Sequence, residues 1–171
     1  MLKVMGALCI ILGCAGVGIC LREKIYDTLA HMQCMIHILT NISNEVLYHK
    51  NTLENAVRVA ALNADEPFDE LLFNVTERYQ DNSGVSFANA WKEALSQYKN
   101  ELYLTEDTFE QLSVLFETPR NNPQLQYERI RETIEKTQAE LNRLEAASSN
   151  QGRMYVCLGL LTGMISTIIL I

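Results

Sequence analysis

Two long runs without a charged residue, one near each end of the chain, constrain its fold more than any other feature. Val4–Leu21 and Met154–Ile171 contain eighteen residues each, with eight and nine Leu, Ile or Val respectively. As helices rising ~1.5 Å per residue, each run extends for ~27 Å, close to the thickness of a bilayer's hydrocarbon core. Buried helices of soluble proteins rarely stay uncharged for so long. The sequence therefore predicts two membrane-spanning helices.

The first run also has features of a cleavable signal peptide. Met1-Leu2-Lys3 precedes it, and Ile11-Leu12-Gly13-Cys14 resembles a lipoprotein cleavage box. However, the apolar residues continue past Cys14 to Leu21, and no Ala-x-Ala site precedes Arg22. We therefore expect a retained membrane anchor, with lipoprotein processing as the alternative.

Small residues within the predicted spans are spaced for close helix packing. Gly159 and Gly163 are four residues apart in the second run, as are Cys14 and Gly18 in the first. This spacing lets helix backbones approach one another in a membrane. Gly18, Gly159 and Gly163 are therefore candidate packing residues, although glycine is common in membrane helices generally.

Cations beside the runs indicate which side of the membrane the middle of the chain occupies. Arg22 and Lys24 follow the first run and Arg153 precedes the second, whereas only Lys3 lies on the other side. Since Lys and Arg favour the cytoplasmic side, we expect residues 22–153 to form a cytoplasmic domain between membrane helices at 1–21 and 154–171. This domain has 13 Lys and Arg against 21 Asp and Glu. Its net charge of −8 argues against nucleic-acid binding.

The middle segment is predicted to be entirely helical. Apolar residues recur at helical steps from Ile25 to Val46, which indicates a helix continuing from the first span. Thr52, Asp65 with Pro67, Thr105, and Asn122 with Pro123 are typical of helix starts, and Asn82-Ser83-Gly84 of a turn. The later helices are expected at 53–62, 68–79, 87–98, 109–116 and from Pro123 onward. The expected fold is all-α: an N-terminal transmembrane helix, an antiparallel six-helix cytoplasmic bundle and a C-terminal transmembrane helix.

The last helix carries a narrow apolar stripe suited to packing against another helix. Its members alternate steps of three and four residues: Tyr127, Ile130, Ile134, Thr137, Leu141 and Leu144. A stripe of this width packs against a single partner helix, for which the first helix of the chain is the simplest candidate. The alternative partner is a second copy of the chain, so a homo-oligomer stays possible.

Motifs for catalysis or cofactor binding are not found in the sequence. It contains no Gly-x-x-x-x-Gly-Lys-Ser/Thr, no Gly-x-Gly-x-x-Gly after a strand and no His-Glu-x-x-His. We therefore expect neither an enzyme nor a cofactor. His31, Cys34 and His37 are spaced three residues apart on a helix, but the outer pair diverges by ~240° and no fourth ligand is evident. A metal site is accordingly disfavoured.

Several short segments, in their order and spacing, resemble one known family. They are Met1-Leu2-Lys3 with Gly6 and Gly18, Glu45-Val46-Leu47-Tyr48, Asn89-Ala90-Trp91-Lys92-Glu93-Ala94-Leu95, Gln126, and Tyr155-Val156-Cys157-Leu158-Gly159-Leu160-Leu161-Thr162-Gly163. This combination is similar to the stage III sporulation protein AB family of endospore-forming bacteria. The chain departs from the family at residues 118–123, where Leu-Gly and Ser-Asp are usual.

The resemblance implies a function that composition does not show. Family members resemble the membrane platform of type II secretion machines, with a bundle similar to the secretion F domain. They belong to the channel apparatus between mother cell and forespore, in the outer forespore membrane, with the bundle in the mother-cell cytoplasm. The implied partners are the cytoplasmic ATPase of that apparatus and its other membrane subunits. The candidate partner-binding residues are Glu45, Tyr48, Trp91, Glu106, Asp107 and Gln126.

Two other functions share the same architecture. One is a small membrane receptor whose helical bundle lies outside the cytoplasm and senses a ligand. The predicted orientation and the absence of an output module after the second span argue against it. The other is a membrane-tethered scaffold unrelated to sporulation, which would differ only in its partners.

Overall fold

The computed structural model consists of six α-helices and, within the residues it describes, no β-strand. Backbone is described for residues 2–49, 51–81, 84–117 and 123–170, and side chains for 23–49, 51–80, 84–117 and 124–148. The helices are α1 (Leu2–Leu47), α2 (Leu53–Ala61), α3 (Phe68–Asp81), α4 (Phe87–Gln97), α5 (Glu106–Ser113) and α6 (Pro123–Leu170). The predicted all-α fold is thus confirmed, as is the start of the last helix at Pro123.

Helix starts are set by hydroxyl side chains that accept hydrogen bonds from the first turn. Thr52 accepts from the Asn55 backbone N–H at 3.4 Å, and Thr105 accepts from that of Thr108 at 3.2 Å. Ser86 does the same for α4, accepting from Asn89 at 3.2 Å. Each hydroxyl satisfies a donor that has no partner within the helix.

The prediction for α5 was wrong in its boundaries. The sequence placed this helix at 109–116, but it begins at Glu106, directly after its cap Thr105, and ends at Ser113. Val114 to Phe116 form a turn instead. The cap was identified correctly, whereas the apolar residues Leu115 and Phe116 were mistaken for part of the helix.

Both predicted membrane spans fall in parts of α1 and α6 whose side chains lie outside the described residues, together with Gly18, Gly159 and Gly163. Among the residues that are described, no helix is long and apolar enough to cross a membrane. The chain divides into two compact units: Ala30–Leu141, here called the central unit, and Met1–Leu29 with Asn142–Ile171. The division of the sequence at residues 21 and 153 stays a prediction.

The core of the central unit draws side chains from all six helices. Its largest fully buried members include Trp91, Phe68, Met35, Leu71 and Ile42. From α6, Ile130 joins the same cluster as the α1 residues. The predicted α6 stripe therefore faces the chain's own core, with Ile130, Thr137 and Leu141 buried and Ile134 packed against the cluster.

Polar side chains fasten neighbouring helices at the surface of the central unit. Arg78 of α3 donates from Nη1 to Glu93 at 3.1 Å and from Nη2 to Gln97 at 2.7 Å, both on α4. Gln80 of α3 donates to Glu54 of α2 at 3.2 Å. The start of α2 therefore lies beside the end of α3, as in an antiparallel helical hairpin.

Candidate partner-binding surface

Acidic residues are concentrated in one part of the central unit. Ala30–Leu141 contains nine Lys and Arg against eighteen Asp and Glu, a net charge of −9. Residues 65–117 alone contain twelve of these acids and only three cations. The excess negative charge of the unit thus comes from the segment that builds α3, α4 and α5.

All three cations of this segment form salt bridges with its carboxylates. Arg78 lies 3.1 Å from Glu93, Lys92 lies 3.8 Å from Glu117, and Lys99 lies 2.7 Å from Glu106. Exposed pairs of this kind add about 0–1 kcal/mol each to stability. The three cations balance three of the twelve carboxylates, so residues 65–117 keep a net charge of −9.

We call the exposed carboxylates of residues 101–117 the acidic surface; they are Glu101, Glu106, Asp107, Glu110 and Glu117. Glu106 and Asp107 occupy the first turn of α5, where negative side chains interact favourably with the helix dipole. Glu106 is 79% exposed and accepts from Lys99 Nζ, which also lies 4.7 Å from the Phe109 ring centroid. Both predicted acidic residues are thus accessible to a partner.

Glu45 has a structural role at the end of α1. Its Oε2 accepts from Asn51 Nδ2 at 2.6 Å, and both carboxylate oxygens lie 3.1 Å from His49 Nδ1. The Asn51 backbone N–H donates to the Glu45 carbonyl at 3.2 Å. Glu45 therefore closes the turn between α1 and α2, and the neighbouring Tyr48 points outward with 73% of its surface exposed.

Trp91 belongs to the core rather than to a surface. Its side chain is fully buried, and its Nε1 donates to the Leu112 carbonyl at 2.7 Å. Its ring packs edge-to-face against the Phe116 ring, with 4.9 Å between the ring centroids. Trp91 therefore contributes to the contact between α4 and α5, and its inclusion among the partner-binding residues stays a prediction.

The six candidate residues are distributed over four helices of the central unit and the residues that follow α1. Glu45 and Tyr48 lie at the end of α1, Trp91 inside the core, and Glu106 with Asp107 at the start of α5. Gln126, half-buried, lies in the first turn of α6. Of these groups, only the first turn of α5 belongs to the acidic surface.

The surroundings of His31 and Cys34 are those of packed residues. His31 Nδ1 accepts from the Tyr103 backbone N–H at 3.0 Å, and its ring packs against Phe68 and Tyr103. Burial raises the pKa of the half-buried Cys34 thiol, and the nearby Asp65 carboxylate raises it further. In the part of the chain that the structure describes, no three His, Cys, Asp or Glu side chains are placed to hold a metal ion.

Sequence reasoning missed the polar contact between α5 and α6. Thr108 Oγ1 donates to Glu140 Oε2 at 3.3 Å, while Gln111 Oε1 and Thr137 Oγ1 are buried without a hydrogen-bond partner. Thr137 was assigned to the apolar stripe because its position fits the helical step. A hydroxyl residue at a position of the apolar stripe was the signal available in the sequence.

Comparisons with known proteins agree on one family. The family described as stage III sporulation protein AB matches residues 3–171. A solved structure of a stage III sporulation protein AB superimposes with a TM-score of 0.65 at 19% identity, covering 72% of this chain and 97% of that one. No protein with a curated description matches the sequence. The chain therefore belongs to the stage III sporulation protein AB family, and its function is connected with sporulation.

Proposed function

We propose that this protein is a non-enzymatic membrane platform component of the channel apparatus between mother cell and forespore. In this proposal the cytoplasmic ATPase of the apparatus binds the central unit, and the two uncharged runs of the sequence anchor the chain in the outer forespore membrane beside the other membrane subunits. Family membership and the concentration of negative charge on α5 support the proposal.

The proposed binding face is chosen because of the acidic surface. Its five carboxylates are exposed, and two of them occupy the first turn of α5. Glu106 and Glu117 pair with Lys99 and Lys92, which leaves three of the five carboxylates outside these salt bridges. Such a surface favours a partner with a basic face, chiefly by raising the association rate and excluding wrong partners. We therefore assign the ATPase a basic contact surface that meets the start of α5.

Helix continuity supports a route by which motion of the ATPase reaches the membrane. α1 contains both the first uncharged run and core residues such as Met35, and α6 contains both Ile130 and the second run. Hydrogen-bonded helices transmit a displacement better than a flexible linker does. In the proposed mechanism, α1 and α6 carry the movement of the central unit to the two spans.

Charge reversal on α5 tests the proposal. Asp107→Lys is preferred over Glu106→Lys, because the latter also breaks the salt bridge to Lys99. We expect Asp107→Lys to weaken binding of the full-length protein to the ATPase by about tenfold at low salt, with a smaller effect at high salt. Glu128→Lys on α6 is the matched control, since it makes the same charge change at an exposed position outside the acidic surface. Equal affinities for Asp107→Lys and the unmodified protein at low salt would contradict the proposal.

A further inference from the structure

The outward face of α1 in the central unit carries no charged side chain. Thr28–Asn44 contain no Asp, Glu, Lys or Arg, whereas residues 128–144 of α6, a segment of equal length, contain eight. We call the exposed residues of this α1 segment the neutral face; they are Ala30, Gln33, His37, Thr40, Asn41 and Asn44. Surface helices normally carry charged side chains on the face opposite the core. The neutral face instead has the composition of a covered surface, because charged residues are depleted at the centre of interfaces.

The other five helices all expose charged side chains. Within the described residues, examples are Arg58 on α2, Glu77 on α3, Lys92 on α4, Asp107 on α5 and Arg131 on α6. A contact between two copies through any of these helices removes charges from water, which is costly. A contact of the neutral face with the same face of a second copy removes none.

The spacing of the neutral face suits a parallel pair of helices. Five of its six residues alternate steps of three and four, which is the spacing of the contact seam in a coiled coil; they are Ala30, Gln33, His37, Thr40 and Asn44. In a parallel pair each seam residue meets its own counterpart. Gln33 and Asn44 suit such contacts, because an amide group both donates and accepts hydrogen bonds.

The neutral face alone is too small and too polar to hold two copies together in solution. It is about 21 Å long and about 10 Å wide, whereas a stable interface buries about 800 Å² on each partner. Anchoring in a membrane supplies the missing stability by raising the effective concentration of the copies. Because α1 also contains the first uncharged run, copies anchored through it present the neutral face at the same height and in the same direction.

We propose that two copies of the chain pair side by side through the neutral face, with their α1 helices parallel. A second copy is the occupant because it brings an identical uncharged seam at the same height. A charged partner would lose hydration there without meeting an opposite charge. The parallel alignment rests on the membrane anchoring in the proposed function, whereas the choice of α1 as the contact rests on its own residues.

Disulfide cross-linking in liposomes tests the pairing. His37→Cys and Asn44→Cys are each made in a full-length chain whose five native cysteines are replaced, and Ser96→Cys on α4 is the matched control at another exposed position. A copper–phenanthroline oxidant should form covalent dimers at least about tenfold faster at residues 37 and 44 than at residue 96, because paired seam residues are within reach of a disulfide. Equal rates at the three positions would overturn the proposal.

Charge reversal with rescue identifies the partner as a second copy. His37→Glu, added to the Asn44→Cys chain, places like charges opposite each other and should slow cross-linking by about tenfold. A mixture of His37→Glu and His37→Lys copies, each with its own tag, should cross-link to one another as fast as copies with His37. Absence of the slowing, or of the rescue in the mixture, would contradict pairing through the neutral face.

Flotation of the same liposomes separates this proposal from the proposed function. They contain no ATPase and no other membrane subunit, so failure of ATPase binding leaves the result unchanged. A chain that floats with the liposomes but cross-links no faster at residues 37 and 44 than at residue 96 overturns the pairing alone. A chain that stays in the unbound fraction contradicts the membrane anchoring, and both proposals fail with it.

Discussion

A single indole N–H joins α4 to α5 inside the core. Trp91→Phe retains an aromatic ring against Phe116 but removes the indole donor to the Leu112 carbonyl, which still accepts from the Leu115 backbone N–H at 3.2 Å. We expect the free energy of unfolding to fall by about 0.5–1.5 kcal/mol, the contribution of a typical intramolecular hydrogen bond. Chemical denaturation followed by far-ultraviolet circular dichroism measures this change.

Tyr48→Ala is the control for this substitution. Tyr48 is 73% exposed at the end of α1, and surface substitutions of this kind change stability by less than about 0.5 kcal/mol. If Trp91→Phe were no more destabilising than Tyr48→Ala, the hydrogen bond to Leu112 would have no role in joining the helices.

At the level of residues, the sequence identified charge and exposure better than it identified partners. Thr105 was identified as a helix start, and the two acids directly after it lie in the first turn of α5, although the predicted bounds of 109–116 left them outside the helix. The pairing of Glu106 with Lys99 and of Trp91 with the Leu112 carbonyl depends on how α4 and α5 are placed. Such contacts arise from tertiary packing, which no local pattern encodes.

At the level of elements, capping hydroxyls contribute to the stability of the short helices. Ser86→Ala removes the acceptor of the Asn89 backbone N–H at the start of α4. We expect a loss of about 1 kcal/mol in the free energy of unfolding, typical of a removed N-cap. Thermal denaturation of the full-length protein measures it.

Ser96→Ala provides the matched control within the same helix. Ser96 is exposed near the end of α4, where alanine has the higher helix propensity, so this variant should be as stable as the unmodified protein or slightly more stable. Equal stability of the two variants would show that Ser86 does not act as a cap of energetic importance.

Helix periodicity and caps were sufficient to locate most elements from the sequence. Predicted and observed boundaries of α2, α3 and α4 agree within two residues, because apolar steps and breaking residues coincide there. α5 was shifted by three residues, since Leu115 and Phe116 continue the apolar pattern beyond the helix while packing into the core from a turn. Apolar spacing reports burial, and a buried turn produces the same signal as a buried helix.

At the level of the whole molecule, the proposed function requires a defined orientation in the membrane. We expect the central unit to lie in the cytoplasm, because Arg22, Lys24 and Arg153 flank the uncharged runs on its side. Cys34 is a poor reporter of this orientation. It is half-buried, and burial raises the pKa of its thiol, so little reactive thiolate forms at neutral pH.

An introduced cysteine at an exposed position provides the better test. Ser96→Cys, in a chain whose five native cysteines are replaced, places a thiol on the surface of α4. In protoplasts that express this chain in their plasma membrane, an impermeant maleimide should label Ser96→Cys only after the membrane is broken. Leu2→Cys, on the opposite side in the predicted orientation, should react before that. Labelling of Ser96→Cys in intact protoplasts would place the acidic surface on the side of the membrane away from the ATPase, and the coupling proposed here would then be physically impossible.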